Sequence, residues 1–146
     1  MIYDQAELLP GCDWTEEHTA QGFARRESTV CFGTLMESGF AEVAVSVGDF
    51  CPNESYERVI CVPFYCASGK VTVEGPEETD VDRTFNLPVG NYRLTSAQVI
   101  VCEDEERIDL FFEPVSAPLN QSSILVADKI LAPFTPLIET SEIAGA

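Results

Sequence analysis

The sequence predicts an all-β protein, an antiparallel β-sandwich with one short N-terminal helix. Segments that alternate apolar and polar residues recur at hairpin spacing, turn-forming residues separate them, and one short segment carries helix start and stop signals. With 146 residues, of which 45% are apolar, the chain can bury a core as a single domain over residues 1–146. Because a sheet with one apolar face must be covered by another layer, we expect two packed sheets.

The one predicted helix lies near the N-terminus. Asp13 is a favourable N-cap residue, and Glu16 stands three positions later, as in a capping box. Gly22 is a natural stop, so the helix has about two turns. Trp14 is expected to pack one face of this helix, and His18 is expected on an exposed or half-exposed flank.

Four alternating segments follow the helix. Residues 28–36 and 41–47 are separated by a Glu-Ser-Gly turn and are predicted to form a hairpin. Residues 56–67 and 70–74 are separated by a Ser-Gly turn and are predicted to form a second hairpin. Pro63 lies inside the longest of these segments, which argues for an edge position or a bulge because proline donates no hydrogen bond.

Residues 83–94 are the stretch around which the remaining strands are arranged. A strand ending at Leu87 meets a Pro-Val-Gly-Asn corner, and a second strand leaves it. Pro88 fixes φ at about −65°, and Gly90 can adopt a positive φ. Phe85 and Leu87 share one face of the incoming strand. We therefore predict a third hairpin, with an apolar face that packs on another layer.

The C-terminal half continues the strand pattern. Residues 92–101 and 108–115 are predicted strands, joined by an acidic, solvated turn at 103–106. Residues 124–127 favour a last strand. Residues 116–146 are expected to be a partly extended C-terminal tail, since they contain several prolines and end in small and acidic residues.

The charge of the chain indicates what kind of partner it binds. Acidic residues outnumber basic ones 25 to 8, which gives a formal net charge of −17. Such a field repels nucleic acid and anionic membranes and attracts basic proteins. Neither a signal peptide nor an apolar span is recognisable, so we expect a cytoplasmic protein. In that reducing compartment the six cysteines are expected to stay free, and their spacing does not suggest zinc binding.

The sequence carries no recognisable catalytic motif. His18 is the single histidine, so a serine or cysteine nucleophile would have to use it as its base. Neither a Gly-x-Ser-x-Gly elbow nor a glycine-rich phosphate loop is present. We therefore expect a protein that is not an enzyme and that uses no cofactor and no metal.

Two acidic clusters flank residues 83–94. The first contains Glu74, Glu77, Glu78, Asp80 and Asp82, and the second contains Glu103, Asp104, Glu105, Glu106 and Asp109. Both clusters have three possible roles. They could keep the protein soluble, or they could bind Ca²⁺, although the Asp-x-Asp-x-Asp-Gly order is missing. Alternatively, they could imitate the phosphates of nucleic acid and occupy the basic groove of a DNA-binding enzyme.

Two segments together resemble the competence protein J family. They are Asp13-Trp-Thr-Glu-Glu followed by Gln21-Gly-Phe-Ala24, and Phe85-Asn-Leu-Pro-Val-Gly-Asn-Tyr-Arg-Leu94. The resemblance covers about residues 12–115, the size of one domain. It implies a small, non-enzymatic inhibitor that binds a nuclease, since the family includes the inhibitor of the nuclease used for DNA uptake in competent bacilli.

The prediction from the sequence is therefore an acidic nuclease-inhibitor-like protein. Its expected partner is a nuclease or another basic protein, with no direct binding of nucleic acid or membranes, and the sequence leaves its oligomeric state open. The resemblance supplies no inhibitory motif, so the predicted contact residues are the carboxylates of the two acidic clusters. The alternative function is a Ca²⁺-dependent or small-ligand-binding β-sandwich module.

Overall fold

The computed structural model describes residues 1–75 and 83–144. Within these residues the chain forms ten strands and one helix. In chain order the elements are β1 (Ile2–Asp4), α1 (Glu16–Gln21), β2 (Phe23–Arg26), β3 (Thr29–Phe32), β4 (Phe40–Val47), β5 (Arg58–Cys66), β6 (Lys70–Val73), β7 (Thr84–Asn86), β8 (Gly90–Cys102), β9 (Glu105–Val115) and β10 (Ser123–Val126).

The strands of the described residues form two five-stranded sheets. The small sheet has the order β2-β3-β1-β6-β7, and the large sheet has the order β10-β5-β8-β9-β4. Neighbouring strands are antiparallel in both sheets except for β4, which runs parallel to β9. The predicted all-β sandwich with one short helix is confirmed.

The core lies between the two sheets, and Phe112 of β9 connects the layers. The rings of Phe64, Phe85 and Tyr92 stand edge-on to Phe112, at centroid distances of 5.7, 5.7 and 6.0 Å. Phe85 comes from the small sheet and the other two from the large sheet. Each edge-to-face pair adds about 0.5–1.5 kcal/mol beyond the burial of its area. This aromatic cluster therefore fixes how the two sheets are stacked.

The predicted helix is present, but Thr15 caps it in place of Asp13. The Thr15 hydroxyl accepts a hydrogen bond from the His18 N–H, and the Thr15 N–H donates to His18 Nδ1 at 3.0 Å. The expected cap at Asp13 is wrong because the helix begins at Glu16. Gly22 ends the helix as predicted, with a φ of 85° that suits glycine.

His18 is buried, so the expected position on an exposed flank is wrong. Its side chain is 3% exposed, and Nε2 lies 2.9 Å from the carbonyl oxygen of Thr140. Since a carbonyl only accepts, Nε2 donates to it while Nδ1 accepts from Thr15. The C-terminal part of the chain provides this burial, and helical spacing alone cannot reveal such a distant partner.

Three predicted hairpins are wrong in the same way. The turn after β3 leads to the far edge of the large sheet, where β4 pairs with β9. Strands β5 and β6 lie in different sheets, and so do β7 and β8. Apolar alternation indicates which face of a strand is buried, but it does not indicate which layer contains its partner. Each of these turns carries the chain from one sheet to the other.

Residues 83–94 form a corner between the sheets. Leu87 is buried, with 1% of its surface exposed. The strand before it, β7, belongs to the small sheet, and the strand after it, β8, belongs to the large sheet. The Tyr92 hydroxyl donates a hydrogen bond of 2.6 Å to the carbonyl oxygen of Pro88. This bond between Tyr92 and backbone a few residues upstream resembles the tyrosine corner of other β-sandwiches. The stretch is a structural joint, with its apolar side chains in the core.

The remaining strand predictions agree with the structure. Strands β8 and β9 form a long antiparallel hairpin, and β10 is the last strand. Pro63 lies in β5 beyond the end of β10, which pairs only with Val59, Ile60 and Cys61. On that side β5 has no partner among the described residues at Pro63, so the missing N–H leaves no ladder bond unmade.

The end of the described chain folds back along α1. Gln21 donates to the Ile138 carbonyl at 2.9 Å and accepts from the Ile138 N–H at 2.8 Å. Arg25 donates to the carbonyl of Glu139, and the Asp13 N–H donates to the carbonyl of Glu142, both at 2.8 Å. These bonds hold the C-terminal segment against the helix and its flanks.

Candidate partner-binding surface

Three residues of the second acidic cluster lie at the tip of the β8–β9 hairpin. Glu103 and Asp104 make the turn and are exposed, and Glu105 opens β9 in a half-exposed position. The carbonyl oxygen of Asp104 accepts a hydrogen bond of 2.8 Å from the N–H of Phe40. The turn is therefore fastened to the start of β4 while its carboxylates extend into solvent.

Glu106 is buried, although the sequence predicted a solvated turn that included it. Its side chain is 2% exposed and accepts a hydrogen bond of 3.0 Å from the N–H of Leu35. Glu106 shares the inward face of β9 with Leu110 and Phe112. The alternation of apolar residues along this strand could therefore have predicted that Glu106 points inward. Its carboxylate supports the loop before β4 and is not available to a partner.

Asp109 is also buried, on the opposite face of the large sheet. It is 5% exposed and accepts bonds from the Tyr56 hydroxyl at 2.6 Å and from Arg107 Nε at 2.9 Å. Burial and the bond to Asp109 raise the pKa of Tyr56 to about 12, so its hydroxyl stays a donor at neutral pH. The ring centroid of Phe50 lies 5.3 Å from that of Phe111. Phe50 and Tyr56 therefore cover this face of the large sheet together. The sequence gives no sign of this cover, since it comes from the loop between β4 and β5.

The first acidic cluster is described only at Glu74, because Glu77, Glu78, Asp80 and Asp82 lie outside the described residues. Glu74 is exposed at the end of β6 and accepts a hydrogen bond of 2.7 Å from the Tyr3 hydroxyl. Its backbone exchanges hydrogen bonds with Met1 in both directions. The contact role predicted for the exposed carboxylates of both clusters stays a prediction.

The edge strand β4 is a feature that the sequence reasoning missed. All eight of its residues are exposed, including Phe40 at 74% and Val47 at 57%. A cleft of about 440 Å³ separates its inward side from the edge of the small sheet at Phe85. The sequence predicted β4 as the second strand of a hairpin, and an edge position follows only from its pairing with β9.

The described residues offer neither a metal centre nor a transmembrane helix. In the ranges 1–75 and 83–144 no group of three or more His, Cys, Asp or Glu side chains is arranged to hold a metal ion. Over the same ranges no helix is long and apolar enough to cross a bilayer. Both ring nitrogens of His18, the single histidine, have hydrogen-bond partners within the fold.

The sequence model of competence protein J (ComJ) matches residues 1–116, which include both segments that carried the resemblance. This chain belongs to the competence protein J family. No curated protein sequence matches it significantly.

A solved structure has the same fold as this family member. It is the crystal structure of ComJ, inhibitor of the DNA degrading activity of NucA, from Bacillus subtilis. The match has a TM-score of 0.67 and 21% sequence identity, and it covers 78% of this chain and 86% of that one. At this identity the likeness establishes the shared sandwich fold.

The family match ends before β10 and the segment that packs on α1. An ion pair crosses this boundary: Arg58 of β5 donates from Nε and Nη2 to the two carboxylate oxygens of Asp128, each at 3.0 Å. Arg58 is 3% exposed. A buried two-bond pair of this kind is costly to break, so the C-terminal segment is an integral part of the structure.

Proposed function

We propose that this protein inhibits a DNA-degrading nuclease by binding to it, without catalysis of its own. The observation that carries the proposal is the family match over residues 1–116. The related structure with the same fold is described as an inhibitor of the DNA degrading activity of NucA. The formal net charge of −17 supports the proposal independently, because an enzyme that grips DNA has a basic surface that attracts an acidic protein.

The proposed mechanism is competition with DNA for that basic surface. Glu103, Asp104 and Glu105 extend from the tip of the β8–β9 hairpin, which is anchored by the Phe40–Asp104 backbone bond. A hairpin anchored in this way can hold several carboxylates where the phosphates of DNA would otherwise lie. Complementary charge of this kind accelerates association, and salt screens it over a Debye length of about 10 Å at 0.1 M.

A digestion assay tests this function. The purified protein is titrated into a NucA-type nuclease encoded in the same genome, with plasmid DNA as substrate. We expect digestion to stop near a stoichiometric amount of inhibitor at low salt, and we expect more inhibitor to be needed as salt rises. Undiminished digestion in the presence of a large excess at low salt would refute the proposal. Bovine serum albumin, another acidic protein, is the control for non-specific charge effects.

A further inference from the structure

We propose that β4 is a docking strand: an extended, basic segment of the partner protein adds to its outer edge, which no described strand covers, as a further strand of the large sheet. This inference rests on the proposed function. It specifies which surface of this protein the nuclease contacts and what kind of nuclease segment makes the contact. Strand addition of this type derives affinity from backbone hydrogen bonds and specificity from alternate side chains.

The backbone of β4 has one side that pairs with β9 and one side that no described strand covers. The Phe40 N–H donates to the Asp104 carbonyl and the Gly48 N–H donates to the Phe112 carbonyl, both at 2.8 Å. Because strand backbone groups alternate in direction, the even-numbered residues face β9 and the odd-numbered ones face away. Four residues therefore present N–H and C=O groups at the open edge, where no described strand pairs with them: Ala41, Val43, Val45 and Val47.

The side chains of this strand also suit an incoming strand. Val43 and Val45 are 36% and 38% exposed, and they line the cleft of about 440 Å³ together with Phe85. Apolar side chains of an added strand would fill this cleft and cover them. Exposed edges are normally protected by lysine, proline or a bulge, whereas β4 contains none of these and has Glu42 as its one charged residue.

The charges around the edge favour a basic segment as the occupant, since carboxylates there outnumber Arg83, the one charged residue among the described residues that line the cleft. Acidic residues lie at both ends of β4: Glu37 and the hairpin tip at its start, and Asp49 after its end. Glu42 adds a carboxylate on the outward face. A second copy of this chain would bring another −17 to this acidic edge, so self-association is opposed. A lysine- or arginine-bearing strand with alternating apolar residues satisfies the charge, the edge and the cleft together.

Amide hydrogen exchange tests the docking strand directly. In the unbound protein, the N–H groups of Ala41, Val43, Val45 and Val47 should exchange quickly, since they lack a described partner. With the NucA-type nuclease bound, we expect these four to be protected by about tenfold or more. Unchanged exchange at all four in a complex that still inhibits would overturn the docking strand and leave the proposed function intact. Protection in the unbound protein, with a concentration-dependent dimer, would assign the edge to a second copy.

A proline substitution provides the second test. Val45→Pro removes an outward N–H without removing a bond to β9, and Val45→Ala is the matched control that keeps the N–H. We expect V45P to need about tenfold more protein for inhibition and V45A to stay within about threefold of the unmodified protein. Equal potency of a folded V45P would contradict the inference. If V45P does not fold, the exchange measurement decides, and failure of the unmodified protein to inhibit would remove both proposals.

Discussion

At the scale of single residues, Asp4 shows how a carboxylate can be structural. It is fully buried, and its Oδ1 accepts from the N–H groups of Ala67 and Ser68 at 3.1 and 3.0 Å, while Oδ2 accepts from Ala6 at 2.9 Å. Burial alone would raise the pKa of Asp4, but these hydrogen bonds outweigh it and lower the pKa below its ordinary value of 3.8. One carboxylate thus fixes the crossing from β5 to β6.

Replacing Asp4 with asparagine should therefore lower stability in a pH-dependent way. In Asp4→Asn an amide NH₂, which is a donor, replaces one carboxylate oxygen that accepts from a backbone N–H. This should lower the free energy of unfolding by about 1–3 kcal/mol at neutral pH. Because the folded pKa is lowered, the contribution of Asp4 is fully present above about pH 4 and is lost as the pH falls through the folded value. Urea unfolding of both proteins between pH 7 and pH 3 should show the gap narrowing below about pH 4. A gap that widens on acidification would contradict this account.

The exposed carboxylates of the hairpin tip should act on association with the nuclease. The triple variant E103Q/D104N/E105Q should weaken inhibition by about tenfold at low salt and reduce its salt dependence, because these charges are lost from the contact surface. The matched control removes three exposed charges elsewhere, at Asp13, Glu16 and Glu27. Stopped-flow association rates distinguish the two variants. Equal losses in both would mean that overall charge matters and the hairpin tip does not.

At the scale of elements, Gly39 allows the backbone before β4 to lie close to the hairpin tip. Its φ is +123°, and a Cβ at this position would lie 2.5 Å from the carbonyl oxygen of Asp104. Both facts exclude a side chain without movement of the backbone. Gly39→Ala should therefore reduce the free energy of unfolding by about 1–3 kcal/mol. Ser38→Ala, at the exposed neighbouring position, is the control in thermal unfolding; equal stability of both variants would show that this joint is not required.

Gln21 is one of the residues of α1 that hold the C-terminal segment. This side chain is 1% exposed and makes hydrogen bonds in both directions with the backbone of Ile138. Gln21→Ala leaves buried backbone groups unpaired, so a loss of about 2–3 kcal/mol is expected. Thr19→Ala, exposed on the same helix, should change stability by less than about 0.5 kcal/mol. A Gln21→Ala protein as stable as the Thr19→Ala control would mean that the hydrogen bonds between Gln21 and Ile138 do not contribute to the stability of the folded state.

The sequence predicted the elements better than the way they are assembled. Alternation located β8, β9 and the final strand, and Gly22 marked the end of the helix, because these signals are local. The layer to which β4, β6 and β8 belong depends on pairing with distant strands, which no local pattern records. The same limit applies to His18, whose burial depends on Thr140, 122 residues further along the chain.

The candidate site shows the same division between local and distant information. Acidic composition directed attention to the hairpin tip, where Glu103 and Asp104 are exposed, and their contact with a partner stays a prediction. It could not separate them from Glu106 and Asp109, which form internal hydrogen bonds. The open edge of β4 depends on the arrangement of whole sheets and leaves no trace in the composition.

At the scale of the whole molecule, the protein is an acidic β-sandwich, and we propose that it acts by binding. Its core connects two sheets through Phe112, and its net charge of −17 produces a field that attracts basic proteins. The two proposed contact surfaces, the hairpin tip and the β4 edge, are joined by the Phe40–Asp104 hydrogen bond. One partner could therefore contact both at once.

We propose that this protein binds a nuclease through complementary charge. Calorimetric titration of the protein into the NucA-type nuclease of the same genome, at about 50 and 200 mM salt, measures this directly. We expect saturable binding with a defined stoichiometry and a Kd that rises at least about tenfold between the two salt concentrations. Absence of binding at the lower salt concentration would contradict it.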